Sequence, residues 1–217
     1  MKKAVILANG EFPQCSELRG LLATCPLLIC CDGAYDKLVA SKIETTGRVL
    51  VIGDGDSLHF RLEGDAQFID GYVEQETNDL SKAVRFALTL GVDEVEIVGA
   101  TGLREDHTIG NIGHLADFSL LRTASDKLLK VSMVSDYGRF TPVVGSGTLR
   151  SFPRQQVSFF CMRAGVPISV SNMLYPIEHR CFDTWWGATL NEAAGSDFTV
   201  RIEGDGVVLV YQTHDAK

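Results

Sequence analysis

The chain has 217 residues, 45% hydrophobic and 22% charged, the balance of a soluble globular protein. Its 28 acidic residues outnumber 20 basic ones and leave a net charge of −8. That balance argues against a nucleic-acid surface, which needs clustered Lys and Arg, but leaves a small nucleotide open, because carboxylates holding a divalent cation bring polyphosphate onto an acidic protein.

No run approaches the roughly 18 apolar residues of a membrane span. The opening Met1-Lys2-Lys3 and the apolar residues 4–8 are too short for a signal peptide, and Asn9-Gly10-Glu11 breaks them at once. The six cysteines (15, 25, 30, 31, 161, 181) show no CxxC pair and no metal-finger spacing. Reduced thiols and a cytoplasmic protein are the expectation.

In chain order, residues 5–8 predict a buried strand, 16–24 a helix, 27–31 a second strand, 34–40 a helix and 49–52 a third strand. Asn78 reads as the N-cap of a helix whose apolar face is Leu80, Ala83, Val84, Ala87 and Leu88, with Gly91 just past its end. Residues 95–98 predict a fourth strand and 106–121 a further helix. Strands alternating with helices predict a parallel sheet covered on both faces, a Rossmann-like α/β domain over 1–127. Beyond Lys127 the pattern changes: 131–134, 157–162 and 166–170 predict short strands, and Phe198, Val200 and Ile202 alternate with Thr199 and Arg201. Gly204-Asp205-Gly206 then leads into 207–211, a hairpin signal. No amphipathic helix is evident, so 128–217 is expected to be an all-β sandwich domain.

Ligands of parallel α/β sheets lie beyond the carboxyl ends of the strands. Acidic residues fall there: Asp32-Gly33 after the second strand, Asp54 and Asp56 after the third, Asp79 opening a helix, and Arg104-Glu105-Asp106-His107 after the fourth. Asp-x-Asp in an extended loop presents two carboxylates to one hard cation, and Mg²⁺ takes a few carboxylates plus phosphate oxygens and water. The competing reading is that Asp and Gly are simply turn formers. Lys82, one turn after Asp79, and Arg104 are counter-charges for polyphosphate, or else solvated surface charges. His107 is either an acid–base group or a helix-start residue bonded to backbone. Neither GxxxxGK[ST] nor GxGxxG occurs, and there is no GxSxG elbow.

These segments resemble, in order, the motifs of the thiamine pyrophosphokinases. Cys31-Asp32-Gly33-Ala34 resembles A-D-G-G, and Gly53-Asp54-Gly55-Asp56-Ser57 is similar to G-D-x-D-S. Residues 74–82, containing Gln75, Asn78, Asp79 and Lys82, resemble D-Q-x-x-T-D-x-x-K, and residues 102–108 resemble G-G-R-x-D-H-T. Late in the chain, residues 187–192 resemble G-x-S/T-x-N-E. Four departures stand out: Ala34 and Leu103 replace glycines, Asn78 a threonine and Leu190 a small polar residue.

The resemblance implies a diphosphotransferase that carries the diphosphate of ATP to thiamine, working as a homodimer with sites between subunits. It implies Mg²⁺ on Asp54, Asp56 and Asp79, which with Arg104 form the catalytic set. ATP would meet Asp32, Gly33, Gln75, Asn78, Lys82, Arg104, Asp106 and His107. Thiamine would meet Trp186, Thr189 and Asn191. The adjacent Trp185 and Trp186 are either ring-stacking groups or core. Two rivals stay open: a diphosphotransferase for another alcohol, and a non-catalytic nucleotide or thiamine-diphosphate sensor.

Overall fold

The computed structural model describes residues 2–54, 59, 62, 64–70 and 78–216, which divide into two compact units. Unit 1 holds residues 2–114 and 121–136, and unit 2 holds 115–120 and 137–216.

Unit 1 is built on strands β1 (Lys3–Leu7), β2 (Leu27–Cys31), β3 (Arg48–Gly53), β4 (Gln67–Asp70), β5 (Glu94–Val98) and β6 (Lys130–Ser135). Helices α1 (Ser16–Thr24), α2 (Ala34–Ala40), α3 (Asp79–Thr89) and α4 (Glu105–Phe118) connect them. The strands pair in parallel in the order β6-β5-β1-β2-β3-β4. All five residues of β2 are buried, as helix cover on both faces of a parallel sheet requires. Asn78 caps α3 through a 2.9 Å bond from the Ser81 N–H to its Oδ1, satisfying one of the orphan donors at the helix start. The predicted helices at 16–24 and 34–40 match α1 and α2, and α4 ends at Phe118, three residues before the predicted boundary.

Two strands differ from the expectation. β4 carries only Phe68 and Ile69 as apolar residues, too weak a pattern to stand out, and forms because the edge of β3 offers free backbone groups. Residues 131–134, expected in the β domain, are β6, which extends the parallel sheet along β5. A short strand carries the same pattern whether its neighbour is parallel or antiparallel, so its own residues do not disclose the partner.

Unit 2 is a sandwich of two antiparallel sheets, β12-β9-β14-β7 and β11-β10-β13-β8. The strands are β7 (Gly138–Val144), β8 (Ser146–Arg150), β9 (Gln155–Cys161), β10 (Ile168–Val170), β11 (Ile177–Arg180), β12 (Ala188–Glu192), β13 (Asp197–Ile202) and β14 (Val207–Ala216). Its core sets Val157, Phe159, Val208 and Val210 of one sheet against Phe198, Val200 and Ile202 of the other. Phe159 and Phe198 meet edge to face at 5.9 Å.

The hairpin expected around 204–206 does not form. β13 pairs with β8 and β10, whereas β14 pairs with β7 and β9. The turn, with Gly204 at φ 112°, carries the chain from one sheet to the other. Both strands have an apolar face, and the crossing turns both faces onto one core instead of stacking them side by side.

Candidate functional site

The strand order of unit 1 reverses between β1 and β5, so the loops after these two strands diverge at a switch point, where a ligand crevice opens in such sheets. The described residues among those predicted in this half follow strand ends or open helices: Asp32 after β2, Asp54 after β3, Asp79 at the start of α3 and Arg104 just before α4. Asp32 follows β2, and its N–H donates to the Ile52 carbonyl at 2.8 Å, tying the end of β2 to β3. It sits at φ 36° with 4% of its surface exposed, a left-handed conformation that Asp tolerates better than most residues. Gly53 passes so close that a β-carbon there would lie 2.6 Å from Asp32 Cβ and 2.9 Å from its Cγ. Gly33 is the N-cap residue of α2.

Asp79 opens α3, and the Lys82 ammonium donates to its Oδ1 at 3.0 Å. Lys82 is the more buried of the two. The Cys31 thiol senses this group. Burial pushes its pKa well up, the negative charges of Asp79 and Asp32 push it further, and Lys82 acts the other way. α3, which carries Asp79 and Lys82, packs against β2, the strand that Asp32 follows, although 47 and 50 residues of sequence separate Asp79 and Lys82 from Asp32.

After β5, residues 99–104 run from the switch point into α4. Arg104 grips Asp106 with two bonds, Nε to Oδ1 at 3.1 Å and Nη2 to Oδ2 at 2.6 Å. The guanidinium, aided by the His107 main-chain N–H at 2.9 Å, lowers the Asp106 pKa from 3.8 to about 2. Asp106 thus holds the guanidinium in a fixed fork. His107 is exposed and sits in the first turn of α4 with its N–H on Asp106 Oδ1. Asn111 Nδ2 donates to the Ala100 carbonyl at 2.8 Å and binds α4 back to the loop.

Asp54 directly follows β3 and is exposed. Asp56 and Gln75 lie outside the described residues. Among the described residues no three His, Cys, Asp or Glu side chains converge on one point. Asp54 and Asp79 supply two hard carboxylate donors, a set that suits Mg²⁺ when phosphate oxygens and water complete the shell.

In unit 2, Trp185 stacks on Phe160 with ring centroids 5.4 Å apart. Trp186 is 56% exposed and, among the described residues, has no ring contact, so it is not core. Thr189 follows it on β12. Asn191 is 5% exposed; its Oδ1 accepts the Tyr175 N–H at 3.1 Å and its Nδ2 donates to the Tyr175 carbonyl at 2.8 Å. That pair of bonds fixes the backbone that carries the exposed Tyr175 ring.

Profiles of two domains match this chain: thiamin pyrophosphokinase, catalytic domain, over residues 18–125, and thiamin pyrophosphokinase, substrate-binding domain, over 138–211. The chain belongs to the thiamin pyrophosphokinase family. Members of this family are diphosphotransferase enzymes. The fold is similar to thiamine pyrophosphokinase from Bacillus subtilis (19% identity, TM-score 0.74, covering 99% of this chain and 100% of that one). It is also similar to thiamin pyrophosphokinase from Candida albicans (14%, 0.75, 98% and 89%) and from yeast (14%, 0.71, 98% and 86%). A search of curated proteins gives no match. Among the described residues, no helix is long and apolar enough to cross a membrane.

Two departures from the family motifs now have a conformation. Leu103, where the motif has glycine, keeps φ 61° and is 69% exposed; Leu190, where the motif has a small polar residue, has φ 62° and is 81% exposed. The loops hold a left-handed backbone and accept a strained leucine in it. Sequence reading missed the loop at 9–11 and Lys37, which the strand order brings to the switch point. Asn9-Gly10 after the first strand was the available signal; for Lys37 there was none.

Proposed function

We propose that this family member is a thiamine pyrophosphokinase in its own right, transferring the diphosphate of ATP to the hydroxyl of thiamine and releasing AMP. The observation that supports the reading is the Asp79–Lys82 ion pair at the start of α3, a helix that packs against β2 and β3, the strands followed by Asp32 and Asp54. The hydroxyl oxygen attacks the β-phosphorus and gives up its proton to solvent or to a carboxylate, the bond from that phosphorus to the α-phosphate oxygen breaks, and AMP leaves with the electron pair. Such a transfer depends on in-line positioning and charge neutralisation more than on covalent help from the protein.

In this reading the Lys82 ammonium and the Arg104 guanidinium face the phosphates, Asp106 orienting the latter. Asp54, Asp56 and Asp79 would hold Mg²⁺, whose charge would neutralise the phosphate oxygens. Gln75, Asn78, Gly33 and His107 complete the nucleotide side. Trp186 offers its exposed ring to the cationic thiazolium, with Thr189 beside it. Asn191 acts through Tyr175, since both ends of its amide bind that residue's main chain. A homodimer with sites shared between subunits, and a cytoplasmic location, belong to the same reading.

Incubation with ATP, Mg²⁺ and thiamine, followed by chromatography, tests it. Equimolar AMP and thiamine diphosphate are expected. AMP formed only when another alcohol replaces thiamine would overturn the substrate, and nucleotide binding without any AMP would leave a sensor.

A further inference from the structure

The loops after β1 and β5 interleave backbone to backbone. The Ala8 N–H donates to the Val98 carbonyl at 2.9 Å, Gly10 to Gly99 at 2.7 Å and Glu11 to Thr101 at 2.8 Å. Nothing larger than hydrogen fits between them: a β-carbon on Gly10 would lie 2.5 Å from the carbonyl oxygens of both Gly99 and Thr101. Gly102, at φ 75°, packs against Glu11 in the same way, a β-carbon there lying 2.7 Å from Glu11 Cβ. The position of residues 9–11 therefore sets the position of residues 99–102, and with them the start of the segment that carries Arg104.

One side chain holds this crossing from outside. Lys37 Nζ, on α2, donates to the Asn9 carbonyl at 2.8 Å and to the Gly10 carbonyl at 2.7 Å. An ammonium bonded to two successive carbonyls is a charge-assisted clamp, stronger than neutral bonds of the same length. Burial lowers the Lys37 pKa, so the charged form is kept here against a desolvation cost. α2 is also the helix that starts at Asp32-Gly33. Lys37 thus joins two edges of the crevice, the turn after β2 and the interleaved loops of β1 and β5.

We infer that Lys37 is a positioning residue for the nucleotide subsite, acting through Asn9 and Gly10 to set the loops that meet the phosphates. The inference rests on the reading of this crevice as the ATP site. Two of its donors are committed to backbone carbonyls, so it acts through the loops and not by its own contact with the phosphates.

The test uses the full chain as wild type, Lys37→Met, which keeps the length and removes every donor, and Lys37→Arg, which restores charge and donors. Titration calorimetry with magnesium and α,β-methylene-ATP gives Kd, steady-state kinetics give kcat and both KM values, and a thermal melt reports folding. In Lys37→Met the analogue Kd and the ATP KM should rise at least about fivefold, because a small displacement of positioning groups is felt strongly at a phosphate site. The thiamine KM should stay within about threefold, and Lys37→Arg should recover most of the affinity. A folded Lys37→Met with a smaller change in Kd overturns the inference, as does a thiamine KM that moves as far as the ATP KM. If Lys37→Met does not fold, Lys37→Gln, which keeps amide donors, is read by the same criteria. Wild type that fails to bind the analogue overturns the nucleotide reading itself; wild type that binds while Lys37→Met binds equally well overturns only the role of Lys37.

Discussion

Lys82 Nζ lies 3.0 Å from Asp79 Oδ1, one helical turn further along α3, and is the less exposed member of the pair. Removing the carboxylate leaves a largely covered ammonium without this counter-charge, and removing the ammonium leaves the carboxylate without this anchor. Asp79→Asn and Lys82→Met should each lower turnover by about two orders of magnitude, the scale of losing one preorganised charge at a transition state. The double variant should be little worse than the poorer single one, because the two act as a unit. Steady-state kinetics on the four proteins check this, and near-normal turnover in Asp79→Asn would remove the pair from the site.

Asp106 should titrate far below its ordinary value. Arg104 lowers the folded pKa to about 2, against 3.8 unperturbed. A depressed carboxylate contributes stability that is present above its unfolded pKa and lost as pH falls through the folded one. The window here is roughly pH 4 down to 2, so the fork between Arg104 and Asp106 stays charged throughout neutral and mildly acid conditions. Carbon-13 titration of the Asp106 carboxyl should give a midpoint near 2. A midpoint near 4 would mean that the fork does not persist in solution.

Gly53→Ala should be costly despite adding one methyl group. The new carbon would lie 2.6 Å from Asp32 Cβ, and Asp32 is itself buried at a left-handed φ. Overpacking of this kind costs about 1–3 kcal/mol, and here the displaced group is a site carboxylate. Denaturant unfolding and turnover should both fall. Wild-type stability with wild-type turnover would show that the strand end has room to move.

Leu103→Gly should stabilise the chain. A non-glycine residue at φ 61° carries about 1–2 kcal/mol of strain, and glycine gives back about 0.5–1 kcal/mol of backbone entropy, leaving a gain between about 0 and 1.5 kcal/mol. The exposed leucine side chain loses little by removal. A thermal melt decides the matter, and a lower Tm would show that Leu103 packs against something that offsets the strain.

Trp186→Ala should leave the melt unchanged, because the ring is 56% exposed. The thiamine KM should rise by a factor of several to about thirty while the ATP KM stays put, the scale of one aromatic–cation contact. Trp185→Ala should behave differently and lower stability, since its ring stacks on Phe160. An unchanged thiamine KM in a well-folded Trp186→Ala would move the thiazolium elsewhere, with Tyr175 the next ring to test.

The sequence by itself determined whatever is written in short-range pattern. Buried apolar runs gave β1, β2, β3 and β5; the Asn78 cap fixed the start of α3; and alternation in residues 198–202 gave a strand with Phe198, Val200 and Ile202 facing a core. The acidic residues of the candidate site stood out because turns at strand ends are where such sheets bind ligands. Only the tertiary structure decided which strands are neighbours. Nothing local in residues 130–135 specifies a parallel partner, and nothing around 204–206 says that β13 and β14 enter different sheets. The same reason hides Lys37 and the loop at 9–11 from a reader of the sequence. Their meeting depends on β1 lying beside β5, some 90 residues away, and pairing over that distance is set by how the whole core packs, not by the residues that meet.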